Sequence, residues 1–310
     1  MMEMQLFTPD GKMRFTNVED EYERNKDLHV EDVRSLQGWV EKQQHLPPVS
    51  DLQFAIFLHS CHWSMEQAKT TIDKFLTYRG AWPDFFAERN PNDPKVRVNM
   101  DVALCSFLPT RTAENYKILY ARLMDTNVDK FSLSGFQKVF DMCMMLELMQ
   151  KGTFDGFVLI SDLSNASIGH ALKGDILVSR RILLYLQEAL PVRLKGIHVI
   201  TTSAIRNLIV ALVKPFLNKE VARLLHFHDS IESLCKFVPR ELLPADLGGE
   251  GPTTKELHDD MHESFTEYAD FFVEQESFVS NESLRDLRPP YMDEDVGIGT
   301  GGSFKKLDLD

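Results

Sequence analysis

Phe157-Val-Leu-Ile-Ser-Asp-Leu-Ser-Asn-Ala-Ser-Ile-Gly-His170 opens on four consecutive apolar residues and then turns polar. A short unbroken apolar run is the pattern of a strand covered on both faces, because a half-wet strand would alternate. Downstream, Ile176–Leu190 has apolar residues at helical spacing and stops near Pro191, whose ring cannot continue a helix. Gly196-Ile-His-Val-Ile-Thr201 predicts another strand, and Ala204–Leu217 a helix that is apolar nearly all round. Upstream, Val102–Leu108 and Tyr116–Leu123 read as strands joined by a turn around Pro109. Phe131–Gln150 reads as a long apolar helix carrying Met142, Met144, Met145 and Met149. Strands alternating with helices predict an α/β fold with a mostly parallel sheet.

Further out the pattern changes. Val30, Val33, Leu36, Trp39 and Val40 recur at helical spacing until Pro47-Pro48. Ser50 or Asp51 is placed to cap a second helix, Leu52–Cys61. A third starts after Trp63, with Ser64 as N-cap, Gln67 at the capping-box position, and Ala68, Ile72, Phe75 and Leu76 as its apolar face. The expected organisation is a loosely held polar arm (1–26), a small all-helical domain (27–90), an α/β domain (99–250) and a C-terminal helix with an acidic tail (251–310). The stretch Asn90-Pro-Asn-Asp-Pro94 and the residues to Asn99 read as a turn-rich linker.

The net charge of −13 repels nucleic acid and anionic headgroups from the molecule as a whole, so any membrane contact needs a local patch. No run approaches the roughly 18 apolar residues of a membrane span, and Met1–Lys12 has neither the basic start nor the apolar core of a secretion signal. Cys61, Cys105, Cys143 and Cys235 are scattered through apolar stretches, as reduced thiols are. The expectation is a cytoplasmic monomer that meets membrane surfaces transiently and binds no nucleic acid.

The whole 157–170 stretch resembles the strand-and-turn signature of the CRAL-TRIO lipid-binding family. The match continues in order through Tyr185-Leu-Gln-Glu-Ala-Leu-Pro-Val-Arg-Leu-Lys-Gly-Ile-His-Val-Ile200, Lys214-Pro-Phe-Leu217, Leu225-His-Phe-His-Asp229 and Leu243-Pro-Ala-Asp-Leu-Gly-Gly249. Phe57–Ala68 and Tyr78-Arg-Gly-Ala-Trp-Pro83 resemble the helical domain that precedes it. The ending Gly302–Asp308 is similar to tails in the insect alpha-tocopherol-transfer-protein-like and cellular-retinaldehyde-binding-protein-like subgroup. The resemblance implies an α/β cage that holds one hydrophobic molecule (a tocopherol, retinoid, carotenoid or other lipid) over its sheet and under a mobile lid helix, and transports it without catalysis or cofactor.

By that resemblance the lid is Ser203–Leu217, with Ile205, Leu208, Ile209, Leu212, Val213, Phe216 and Leu217 toward the ligand. Phe136, Val139, Phe140 and Cys143 would form a methionine-rich wall, where flexible thioethers adapt to an irregular shape. Leu159, Ser161, Leu163 and Ile200 would form the floor, with Ile182, Leu186 and Leu190 on the flanking helix. Ser161 departs from the family's bulky residue and offers a hydroxyl. Burying about 400–500 Å² of ligand at roughly 25 cal/mol per Å² yields on the order of 10 kcal/mol, enough for capture by apolar contact alone.

Relatives hold phosphoinositide headgroups, phosphatidylinositol bisphosphate among them, with basic residues. Arg193 and Lys195 match two such positions. Glu220 and Leu224 stand where relatives have cations, with Lys219 and Arg223 displaced by one, and His59 and Cys61 replace two arginines. These departures predict weak headgroup control, with histidine restoring a charge in mildly acidic conditions. A rival reading is a lipid-sensing adaptor that docks a protein on the acidic helix 253–278 (Glu256, Asp259, Asp260, Glu263, Glu267, Asp270). His59, Cys61 and His62, and His226 with His228, match no standard metal spacing. Gly297–Gly302 lacks the strand and helix of a phosphate loop.

Overall fold

A computed structural model of the chain describes residues 15–287 together with Pro289, Tyr291 and Met292. The glycine run 297–302 and the ending 302–308 therefore lie outside the described residues. Six helices come first: α1 (Val18–Arg24), α2 (Val30–Val40), α3 (Asp51–Ser60), α4 (Met65–Ala81), α5 (Pro83–Phe86) and α6 (Pro94–Val102). Helix α3 starts on a capping box, in which Gln53 N–H donates to Ser50 Oγ and Ser50 N–H to Gln53 Oε1. Ser64 holds the N-cap position of α4 but makes no side-chain cap bond. Helix α2 buries Val33, Leu36 and Val40, as the spacing predicts, and leaves Val30 exposed.

Two expectations change here. The polar arm contains α1 in its described part, anchored by the fully buried Glu21. That carboxylate accepts from Thr153 N–H (3.1 Å) and Asn25 Nδ2 (2.8 Å). Gly152, at φ +73°, makes this possible: a Cβ there would sit 1.8 Å from Glu21 Oε1. The linker is also helical, because Asp93 caps Lys95 N–H and Pro94 occupies the first turn of α6. Asp-Pro signals a turn and a helix start equally well.

The sheet has five strands in chain order: β1 (Ala103–Arg111), β2 (Lys117–Leu123), β3 (Phe157–Asp162), β4 (Leu194–Ile200) and β5 (Leu225–His228). β1 is antiparallel to β2 and the other pairs are parallel. Pro109 lies inside β1, at a register irregularity between Phe107 and Arg111, where its missing N–H costs no ladder bond. The chain reverses instead at Thr112–Asn115, with Asn115 at φ +65°.

The remaining helices are α7 (Leu133–Lys151), α8 (Ile168–Leu172), α9 (Ile176–Leu184, continued by a π turn to Ala189), α10 (Ser203–Val213), α11 (Lys219–Leu224), α12 (Ile231–Leu234), α13 (Thr254–Glu267) and α14 (Ala269–Gln275). Strands in chain order joined by crossovers of one hand leave their helices on one face of the sheet. Accordingly α7 and α9 pack with the N-terminal helices on one face, while Leu234 of α12 and Leu257 of α13 cover the other. The C-terminal helix breaks at Tyr268 into α13 and α14, and Glu256 on it is taken up by a capping box with Thr253.

A buried polar cluster ties the helical region to the sheet. Asp141 of α7 accepts from Arg79 of α4 (3.0 Å) and Tyr185 Oη (2.5 Å), and Arg89 Nη2 lies 2.8 Å away. All three charged side chains are shut off from solvent. Burial alone would push the Asp141 carboxyl up, but the two guanidinium groups hold it below its usual range.

Candidate ligand-binding site

Helix α10 turns Ser203, Ala204, Arg206, Asn207 and Ala211 to solvent, and of its large apolar residues only Ile205 is buried. Leu208, Ile209, Val210, Leu212 and Val213 are half-covered where the helix crosses α8 and α9. Gly174, between α8 and α9, permits its close approach, since a Cβ there would come within 2.6 Å of Leu212 Cδ1.

Beneath α10 lies a cavity of about 210 Å³. Ile205, Ile209, Leu212 and Val213 form its roof, with Phe136 of α7, Ser161 and Leu163 on other walls. These seven were expected at the site. Leu123, Phe131, Leu133, Ala166, His170, Ala171, Gly174 and Ser179 also line it and were not. Phe131 and Leu133 flank the N-cap Ser132 of α7, so a search for helix faces passes over them. His170 stood in the quoted signature with no visible role.

Other expected residues lie elsewhere. Val139, Phe140, Cys143 and Leu190 are buried in the main core beside the N-terminal helices, where Ile182 packs as well. Leu159, Leu186 and Leu217 pack around Ile197, Val199 and Val221, an apolar patch that Leu163 also joins. Ile200 is on the opposite face of the sheet, in the cluster with Ile160 and Leu234. Period-two alternation requires this: Ser161 pairs with Val199 and Asp162 with Ile200, so Val199 shares the cavity face of Ser161. Leu208 and Phe216 do not line the cavity.

The basic residues are similarly divided. Arg193 donates through Nε to the His59 carbonyl (2.8 Å) and lies over the Trp63 ring at 5.9 Å. Lys195 Nζ lies 5.6 Å from the Tyr116 ring centre. Lys219 and Arg223 are exposed on α11. Between α4 and the π turn runs a groove of about 550 Å³ that includes Glu66, Glu188 and Glu220. Burial and the Arg193 charge push His59 down to about 3, and burial with Arg193 and Lys195 lowers His62. Mild acid therefore restores no positive charge at His59, contrary to expectation. His226 and His228 share a face with His198, whose Nδ1 is 2.9 Å from His228 Nε2. The rings stack instead of converging, and among the described residues no group of three or more His, Cys, Asp or Glu is placed to hold a metal ion.

Against known proteins, residues 103–249 match the family model described as the CRAL/TRIO domain. The chain carries a CRAL/TRIO domain. Residues 25–96, ahead of it, match a Pinta-like UBA domain. The chain is similar to "Alpha-tocopherol transfer protein-like" of Mus musculus, with 24% identity over 243 residues, covering 76% of this chain and 69% of that protein. It is also similar to "Clavesin-2" of Rattus norvegicus, with 23% identity over 262 residues, covering 81% and 79%. Among solved structures it is similar to Sfh5, at 12% identity and a TM-score of 0.46, over 81% of this chain and 98% of that one. The cavity lies inside the CRAL/TRIO domain, between its α10 and its sheet.

Proposed function

We propose that this protein binds a hydrophobic small molecule beneath α10 and moves it between membranes, without chemical change. The observation that carries the reading is the apolar cavity roofed by the half-buried apolar side chains of α10. Similarity to alpha-tocopherol transfer protein-like and clavesin proteins supports lipid transport as the general role. The cavity is small for a lipid. About 150 Å³ holds a benzene ring, so 210 Å³ takes a ring system or chain segment, and an outward swing of α10 would supply the room for a whole tocopherol. No described helix is long and apolar enough to cross a membrane.

Beside the lid, Ile168, Leu172, Ile176 and Leu177 are exposed on α8 and the start of α9, Leu172 at 70% and Leu177 at 65%. Lys173 lies among them. An apolar patch with a cation next to a ligand door suits shallow contact with a bilayer, which would free α10 to open. Two variants separate binding from docking. Ile209→Asp with Leu212→Asp should abolish retention of fluorescent tocopherol, whereas Leu172→Asp with Leu177→Asp should retain it but slow transfer to phosphatidylcholine vesicles severalfold. Undiminished retention in the first variant, with its melting transition intact, would overturn the reading.

A further inference from the structure

The cavity wall holds one side chain whose hydrogen bonding is incomplete. His170 lines the cavity and is 4% exposed. Its ring is pinned at the start of α8, where Ser167 N–H donates to Nδ1 at 3.0 Å and Ser167 Oγ lies 2.8 Å from the same nitrogen. A backbone N–H can only donate, so Nδ1 is the acceptor and the neutral ring carries its proton on Nε2. Burial, with Lys173 nearby, lowers the pKa and favours that neutral form. Nε2 is buried and has no partner. The ring meets Phe131, another cavity wall, edge to face at 5.4 Å. The cavity lining contains no Asp, Glu, Lys or Arg, and its other side-chain polar groups are the hydroxyls of Ser161 and Ser179.

A buried donor without an acceptor is costly to leave unmet, and sites built around such a donor discriminate strongly against ligands that cannot satisfy it. An uncharged wall favours a neutral acceptor over a carboxylate, which would enter unpaired. We propose that His170 Nε2–H determines ligand specificity, selecting apolar molecules with an uncharged oxygen acceptor over hydrocarbons of the same shape. This inference rests on the cavity being the ligand site.

Two probes of matched shape test it: 2-acetylnaphthalene, which has a carbonyl oxygen, and 2-isopropenylnaphthalene, which has a methylene in its place. Binding is followed by probe fluorescence in the full chain. The wild type should prefer the ketone by about tenfold, as one net hydrogen bond allows. His170→Met removes the donor and should bind both equally, with hydrocarbon affinity within about twofold of wild type. His170→Gln keeps an acceptor for Ser167 N–H at the same helix position, frees an amide donor, and should recover ketone preference. Equal binding of both probes to the wild type, or a preference that survives His170→Met, overturns the assignment. Failure of both probes to bind the wild type refutes the cavity as ligand site, and the assignment with it.

Discussion

Gly174→Ala tests whether α10 is a door. The added Cβ would meet Leu212 Cδ1 at 2.6 Å and the Ala171 carbonyl oxygen at 2.9 Å. Ordinary carbon contacts are about 3.5–4.0 Å, so something must move by roughly 1 Å. Overpacking of this kind costs about 1–3 kcal/mol. The turn itself is the stiffer side, because Gly174 N–H donates to that same Ala171 carbonyl at 3.1 Å. Helix α10, anchored by the buried Ile205, is the softer one. If the cost falls on the closed position of α10, its open population rises about 5- to 150-fold. Global stability falls by less, since alanine stiffens the unfolded chain by about 0.4–1 kcal/mol. Hydrogen exchange of peptides within 203–213 reads the local opening directly, and bound tocopherol should dissociate faster by a similar factor. Unchanged exchange in α10 together with a lower melting temperature would refute the reasoning, because the strain would then sit in the turn and α10 would be ordinary core.

Asp141→Asn leaves Arg79 and Arg89 buried without their carboxylate and should cost about 3–5 kcal/mol, measured by urea unfolding. The carboxyl is held below its ordinary 3.8 in the folded protein, so its contribution is complete above that value and is lost as pH falls through the lower folded one. The variant should lack this acid-side loss, and wild-type stability of Asp141→Asn at neutral pH would sink the account. Phosphatidylinositol bisphosphate in acceptor vesicles should change transfer by less than about twofold, because each exposed cation contributes only about 1 kcal/mol and Glu220 sits beside Lys219. A severalfold acceleration, lost on Arg193→Ala with Lys195→Ala, would contradict that.

Much of the molecule was legible in local pattern. The apolar run at Phe157–Ile160 became β3, and helix α3 begins where Ser50 offered a cap. The apolar character of 203–217 marked α10 as unusual before any neighbour was known. Such features depend on residues a few positions apart, whose contacts are set by helix or strand periodicity. Hence an element and its buried face appear in one dimension, as with Val33, Leu36 and Val40 in α2.

What the chain does with those faces depended on partners far away in sequence. Glu21 reads as one more acidic residue until Thr153 and Gly152 close over it, and its helix then ceases to be an arm. Val139 and Cys143 are apolar helix residues in either role, and their packing with the N-terminal helices and the sheet, away from the cavity under α10, is visible only in three dimensions. Ile200 was assignable to the far face by counting from Ser161, but only once the β3–β4 register was known. The sequence alone determined that there would be a mostly parallel sheet, apolar helices to cover it and one segment, 203–217, unusually rich in apolar residues. The tertiary structure decided where those surfaces fail to meet, and so which side chains, His170 among them, face the space that remains. Periodicity encodes what a segment can bury; a cavity is a property of the gap between segments, and no single segment records it.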